Sequence, residues 1–212
     1  MKSVRSLFLV WVIAGLYVLV AAAQQPKSAT HPRVVAACGP LDVQSFRCPK
    51  FGFTYKVPFG WVDRTSDLQQ DDAQGDAGKT APRSGSETLL AVFERPPDAP
   101  GETINSAVVI AVENLASYPG LKTPADYFGP ITEIAEQQGF KAEAGPYSFA
   151  VGAKQLVRGD FSKMRGKLPM RQSSLVMIEK GNIISFTFIG GSEDEVEDLI
   201  NSLNFGVRAA PR

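Results

Sequence analysis

Two apolar runs joined by a short turn near the C-terminus are the feature that most constrains the fold. The first run ends at Glu179, and the second returns with Ile184, Phe186 and Phe188 on one face. Lys180-Gly181-Asn182 lies between them, and its Gly-Asn step favours the tight turn of a β-hairpin. The segment therefore predicts an antiparallel sheet, and we expect this hairpin at its centre.

Apolar runs upstream of this hairpin predict further strands. Phe51, Phe53 and Tyr55 alternate with small or polar residues, as in a strand with one buried face. Thr123-Pro124 can cap and open a helix that Gly139 ends, so one helix interrupts the series of strands. The remaining strand candidates are at residues 88–94, 106–113, 141–150 and 153–161, and the first run of the hairpin is at 171–179.

A second helix is predicted after the hairpin. Ser192 and Glu195 have the spacing of a capping box, in which each side chain bonds to the backbone NH of the other residue. Val196, Leu199 and Ile200 follow on one face and would dock this helix on the sheet. We therefore predict an α+β fold, with an antiparallel β-sheet of about six to seven strands covered by two helices.

The N-terminal segment has the three parts of a secretory signal peptide. Lys2 and Arg5 precede an uncharged run at residues 7–23, which ends in three alanines before Gln24. An uncleaved membrane anchor is the alternative, but such a run reaches only ~25 Å as a helix, against a hydrocarbon core of ~30 Å. We predict a signal peptide at residues 1–23, a flexible tether at 24–45, one domain at 46–207, and export to the periplasm or the medium.

The chain has two cysteines, Cys38 and Cys48. Their spacing excludes a CxxC redox or metal motif. In an oxidising compartment such a pair favours a disulfide. Val35-Ala36-Ala37 before Cys38 leaves lipidation of this cysteine as an alternative, although charged residues separate it from the apolar run.

Composition and missing motifs exclude several classes of function. The 22 basic and 22 acidic residues leave no net charge, which argues against a protein whose main function is to coat nucleic acid. The one histidine, His31, lies in the predicted tether. A catalytic triad in the folded domain would therefore lack its histidine base, and a histidine metal site would lack its ligands. The chain contains neither G-x-x-x-x-G-K-[ST] nor G-x-G-x-x-G. We therefore expect no enzyme, no metal and no cofactor.

The segment at residues 63–86 is polar and is predicted to be a long loop. It contains four candidate calcium ligands, Asp67, Asp71, Asp72 and Asp76. The D-x-D-x-D-G spacing of a calcium-binding loop is missing, so a solvated acidic loop is favoured.

Three stretches of the chain resemble the PsbP-like family. They are FGFTYKVPFGW at residues 51–61, PADYFGPITEIAEQQGF at 124–140, and the closing hairpin and helix from MIEKGNIISFTF to DLINSLNF at 177–205. This family includes an extrinsic subunit of photosystem II, a nuclear-transport factor that releases nucleotide from a small GTPase, and many exported bacterial proteins. The resemblance implies an α/β/α sandwich and a non-enzymatic, partner-binding function, and it assigns no site residue.

A concentration of basic residues supplies the candidate contact surface. Residues 154–171 contain six basic side chains and one acid, Asp160. Gly159, Gly166 and Pro169 favour a loop between strands for part of this segment. The predicted contacts for an acidic partner or anionic head groups are Lys163, Arg165, Lys167 and Arg171.

These observations predict an exported, non-enzymatic domain that binds another envelope or secreted component, and a protein of the cell envelope is the expected partner. The alternative is a carrier of small molecules or amphiphiles that uses the concave face of the sheet. A hydrolase is the least supported function. Membrane contact is expected only through an uncleaved signal segment or lipidation at Cys38, and both are disfavoured.

Overall fold

The computed structural model describes residues 38–74, 86–96, 99 and 101–206 of the 212-residue chain. Within these residues the strands are β1 Ser45–Cys48, β2 Phe53–Lys56, β3 Val62–Asp63, β4 Ser86–Phe93, β5 Ala107–Asn114, β6 Lys141–Ala142, β7 Tyr147–Val151, β8 Lys154–Arg165, β9 Leu168–Glu179, β10 Asn182–Gly190 and β11 Leu203–Phe205. The helices are α1 Thr65–Gln74, α2 Phe128–Gln137 and α3 Glu193–Asn201, and short 3-10 turns occur at Leu115–Ser117 and Pro124–Tyr127.

Most strands belong to one antiparallel sheet with the order β3-β4-β5-β10-β9-β8-β6, and β7 also pairs with β8. β1, β2 and β11 form a separate three-stranded sheet. The predicted central hairpin is confirmed, because β9 and β10 lie in the middle of the large sheet with Met177 opposite Ile184. The turn residues are Lys180 and Gly181, one position before the predicted Gly-Asn step, and their φ angles of 51° and 73° are the positive values of a type I′ turn.

The large sheet is covered on both faces. Ile183 packs in a cluster with residues of α2 on one face, whereas Ile184 packs with α3 and the three-stranded sheet on the other. This division follows from the period of two in a strand. Phe53 of β2 contacts Phe186 of β10 edge to face, with ring centres 5.1 Å apart, so the small sheet lies against the large one. The predicted α+β fold is confirmed.

The structure contains more strands than the sequence predicts, because the large sheet has eight and the small sheet has three. Besides β1 at Ser45–Cys48, which the sequence does not predict, the additional strands β3 and β6 have two residues each, and β11 has three. Such short segments are below the length at which an alternation of apolar residues can be recognised. The single strand predicted at residues 141–150 is β6 and β7, separated by residues 143–146.

The prediction of a long loop at residues 63–86 is wrong in its first half, where α1 forms. Polar side chains hold this helix against the edge of β4. Gln69 donates to the carbonyl of Thr88 at 2.8 Å, Asp72 accepts from the backbone NH of Thr88 at 3.1 Å, and the Thr65 hydroxyl accepts from the NH of Ala91 at 2.9 Å. Because these contacts are hydrogen bonds, α1 has no apolar stripe by which the sequence would reveal it.

The predicted signal peptide and the predicted tether as far as residue 37 lie outside the described residues. Where the description begins, Cys38 is buried and forms the expected disulfide with Cys48 at the end of β1. The Gly39 NH donates to the carbonyl of Arg47 at 2.9 Å, so the chain joins the folded domain at this point. Across the described residues, no helix is both long and apolar enough to cross a membrane.

Candidate functional site

The part of the basic segment predicted to be a loop belongs instead to a long β-hairpin, and Gly159 lies within its first strand. β8 and β9 have twelve residues each and stay paired as far as Arg165 and Leu168. The chain reverses at Gly166-Lys167, where Gly166 has a φ of 65°. The glycine marks a two-residue turn, and Pro169 is accommodated within β9 opposite Met164. The predicted loop is therefore wrong, because the strands stay paired up to a turn of two residues.

The end of this hairpin is exposed on both of its faces. All of residues 164–169, which we call the hairpin tip, are solvent-exposed. Met164 is 62% exposed and Leu168 is 36% exposed, so both add apolar area to this surface. In the strand register Met164 lies opposite Pro169, and Arg165 lies opposite Leu168. Directly opposite residues share one face, so each face of the tip has apolar surface.

The four predicted contact residues fall into two groups. The ammonium of Lys163 donates to the carbonyl of Gln138 at 2.9 Å and lies 4.1 Å from the centre of the Phe140 ring. Arg171 forms an ion pair with Glu143. Within the described part of the chain, Arg165 and Lys167 have neither an ion pair nor a side-chain hydrogen bond, and both lie on the hairpin tip. The structure therefore brings Arg165 and Lys167 together and separates Lys163 and Arg171 from them.

Arg158 of the same basic segment has a structural position. It is 5% exposed, and its Nε donates to Asp160 at 2.8 Å. Its other nitrogens bond to Glu197 of α3 at 2.5 Å and to the hydroxyl of Ser173 at 3.0 Å. Burial by itself lowers the pKa of Arg158, but the two carboxylates outweigh this effect, so the pKa is raised and the side chain stays charged.

A polar cleft of about 110 Å³ lies beside this cluster, between β8, β9 and the start of α3. Tyr147 lines it and donates to Asp160 at 2.7 Å. Burial, followed by this bond to Asp160, raises the pKa of Tyr147 to about 12. The charged residues of the cleft are two arginines and four acids, namely Arg158, Arg171, Glu143, Asp160, Glu193 and Glu197. Both arginines are paired with acids of the same cleft, so it has an excess of negative charge.

Two of the four acidic residues considered as calcium ligands have other partners. Asp67 forms an ion pair with Arg64, and Asp72 accepts hydrogen bonds from Thr88. Asp76 lies outside the described residues. Among those described, no group of three or more histidine, cysteine, aspartate or glutamate side chains is arranged to hold a metal ion.

Sequence reasoning missed a buried carboxylate at the end of β5. Glu113 is 6% exposed and accepts hydrogen bonds from the hydroxyls of Tyr118 and Tyr127. Burial and the negative charge of Glu113 raise the pKa of Tyr127, which stays neutral. In the sequence, Glu113 is an acid directly after an apolar run. Such an acid indicates the end of a strand, but it does not show that the carboxylate is buried or which groups bond to it. This cluster anchors the 3-10 turn that leads into α2.

The capping box predicted before α3 is half formed. The Ser192 hydroxyl accepts from the NH of Glu195 at 3.2 Å, as expected. The carboxylate of Glu195 bonds elsewhere, because it accepts from the NH of Gly191 at 2.8 Å and from the hydroxyl of Ser106. The hydroxyl of Ser106, directly before β5, thus competes with the local cap, and the glutamate links α3 to the start of that strand.

No family model matches the chain, and no curated protein matches it in sequence. Solved structures are similar to it. Cyanobacterial PsbP from Synechocystis sp. PCC 6803 is 14% identical with a TM-score of 0.47, over 80% of this chain and 97% of that one. The Ran-binding protein Mog1p of Saccharomyces cerevisiae is 9% identical with a TM-score of 0.40, over 71% and 78%.

LpqN of Mycobacterium tuberculosis, described as involved in cell envelope biogenesis, is 11% identical with a TM-score of 0.34, over 71% of this chain and 76% of that one. These matches include a PsbP protein and a Ran-binding protein. At these identities and TM-scores the similarity carries no information about a site or an activity.

Proposed function

We propose that this chain is an exported, non-enzymatic domain that contacts another component of the cell envelope through the hairpin tip. The observation that carries the proposal is the exposure of Met164 and Leu168 beside Arg165 and Lys167, at the end of a regular hairpin. Within the described residues these two cations have no ion pair that a partner would have to break. A surface with unpaired charge and exposed apolar side chains is typical of a contact site.

The chemistry of the polar cleft supports a non-enzymatic function. Ser173, its one hydroxyl from serine, is 2% exposed and already bonded to Arg158 and Asp160, so a substrate has no access to it. Three of the four acids of the cleft, Glu143, Asp160 and Glu197, are paired with its arginines. Nucleophilic catalysis needs an accessible nucleophile beside a base, and the described side chains of this cleft do not supply that pair.

The carrier alternative is not favoured by the packing of the described residues. A carrier would need open apolar surface on a face of the large sheet. α2 covers one of these faces, and α3 with the three-stranded sheet covers the other. Aromatic side chains such as Tyr55 and Phe188 fill the space between the layers.

The test is site-specific photocrosslinking in the native cells. A photoreactive phenylalanine analogue is placed at Met164 and, as a control, at Glu136, an exposed position on α2. Adducts are identified by mass spectrometry, whether they are with protein or with lipid. We expect an adduct at position 164 that is absent at 136 and that disappears in the R165E/K167E background. Equal labelling at both positions, or no adduct at 164, would contradict the proposal.

A further inference from the structure

We propose that the hairpin tip binds the surface of an anionic phospholipid bilayer, with its apolar side chains in the head-group region and its basic side chains on the lipid phosphates. This inference rests on the proposed function and names the component that the tip contacts. It differs from an anchor at the N-terminus, because it assigns membrane contact to the folded domain.

The size of the tip favours a lipid surface over a protein partner. A stable protein interface buries ~800 Å² on each partner and draws on about 20–30 residues. The tip offers six consecutive exposed residues, at positions 164–169. The neighbouring basic side chains Lys163 and Arg171 are engaged with α2 and with Glu143, so they do not extend the free surface. Shallow insertion into a bilayer requires only a few apolar side chains, which matches this small protrusion.

The composition of the tip matches the chemistry of an anionic bilayer. The sequence from Lys163 to Arg171 contains no acidic residue. Met164, Leu168 and Pro169 supply apolar surface at the same height along the hairpin as the charge of Arg165. A bilayer surface has the matching order, with phosphates outside and hydrocarbon beneath them. Long basic side chains can reach the phosphates while their stems cover apolar surface.

The hairpin geometry suits a single rigid insertion. The backbone pairs of the tip continue without a break from the sheet, since Ser162 pairs with Arg171 and Arg165 with Leu168. The turn adds only Gly166 and Lys167. Little conformational entropy therefore has to be lost when the tip enters the interface, which favours binding.

The experiment is vesicle co-sedimentation with the chain from residue 24 onward, the exported form that the sequence predicts. Vesicles of phosphatidylcholine alone are compared with vesicles that also contain phosphatidylglycerol. We expect binding to the anionic vesicles only, and weaker binding at raised ionic strength. The R165E/K167E variant is expected to bind at least ~20-fold more weakly, and M164S/L168S about tenfold more weakly.

Two control variants have matched changes elsewhere. K56E/K122E makes the same change in net charge at exposed positions, and F59S removes a ring that is 92% exposed on another turn. Both are expected to bind as the unmodified chain does. Absence of binding, equal binding to both vesicle types, or equal weakening by K56E/K122E or F59S would overturn the inference. A protein adduct at position 164 without vesicle binding would overturn it and leave the proposed function standing, whereas absence of both would overturn both.

Discussion

Arg158 on β8 and Glu197 on α3 form an ion pair with 2.5 Å between Nη1 and Oε1. The same guanidinium bonds to Asp160 and to Ser173, so one buried cation joins the closing helix to two neighbouring strands. The side chain also lies over the ring of Phe149 on β7, at 4.9 Å from its centre. Four elements therefore meet at Arg158, and its loss affects all of them.

We expect Arg158→Ala to lower the free energy of unfolding by about 3 kcal/mol, because it leaves acids without their buried counter-charge. Glu197→Gln should cost less than ~1 kcal/mol, since the Glu197 side chain is 38% exposed and solvent screens it. Urea unfolding measures both. Asp198→Asn, at an exposed position on α3, is the control, and a loss equal to that of Arg158→Ala would contradict this role.

A substitution at Tyr55 is expected to raise the free energy of unfolding, in contrast to the loss expected for Arg158→Ala. Its side chain is completely buried, and its hydroxyl has no hydrogen-bond partner within the described residues. Because an unpaired buried hydroxyl is unfavourable, Tyr55→Phe should raise the free energy of unfolding by about 1 kcal/mol. Tyr127→Phe is the matched comparison, because it removes a hydroxyl bonded to Glu113 and should lower stability by about 1–2 kcal/mol. Thermal unfolding checks both, and a loss of stability in Tyr55→Phe would contradict the first.

Gly159 on β8 is required by the close approach of α2. A Cβ at this position would lie 2.5 Å from Cε1 of the buried Phe128 ring. Gly159→Ala should therefore lower stability by about 1–3 kcal/mol through overpacking. Gly129, the residue after Phe128, has open space around it within α2, so Gly129→Ala should raise stability by up to ~1 kcal/mol. Denaturant titration of the pair tests this, and similar losses in both would point to a cause other than this contact.

The raised pKa of Tyr147 predicts a loss of stability at alkaline pH. Burial and Asp160 raise the pKa of Tyr147 from 10.0 to about 12, so the folded state keeps the proton longer than the unfolded state does. The stabilising contribution is complete below pH 10 and is lost as the pH rises towards 12. Unfolding measured at a series of pH values should show this decline, and Tyr147→Phe should make it less steep. An unchanged slope in Tyr147→Phe would show that Tyr147 does not contribute.

Local sequence determined those parts of the fold whose interactions lie within a few residues. The hairpin turn at Lys180-Gly181 needs only residues that accept positive φ, and the strands beside it need only a period of two. The stripe of Val196, Leu199 and Ile200 identifies the closing helix because its members are three and four residues apart. These signals were enough to predict the α+β class, and the pair of cysteines in a chain predicted to be exported was enough to predict the disulfide.

Tertiary structure alone decided the features that depend on distant partners. α1 is stable at its position because Gln69 and Asp72 bond to the edge of β4, and neither residue has an apolar pattern that reveals this. The basic residues of the segment at 154–171 look equivalent in the sequence, since charge type does not identify a partner. The fold buries Arg158 against acids of β8 and α3 and leaves Arg165 and Lys167 exposed. The sequence shows that positive charge is concentrated in this segment, but long-range packing determined which of its basic side chains are available for binding.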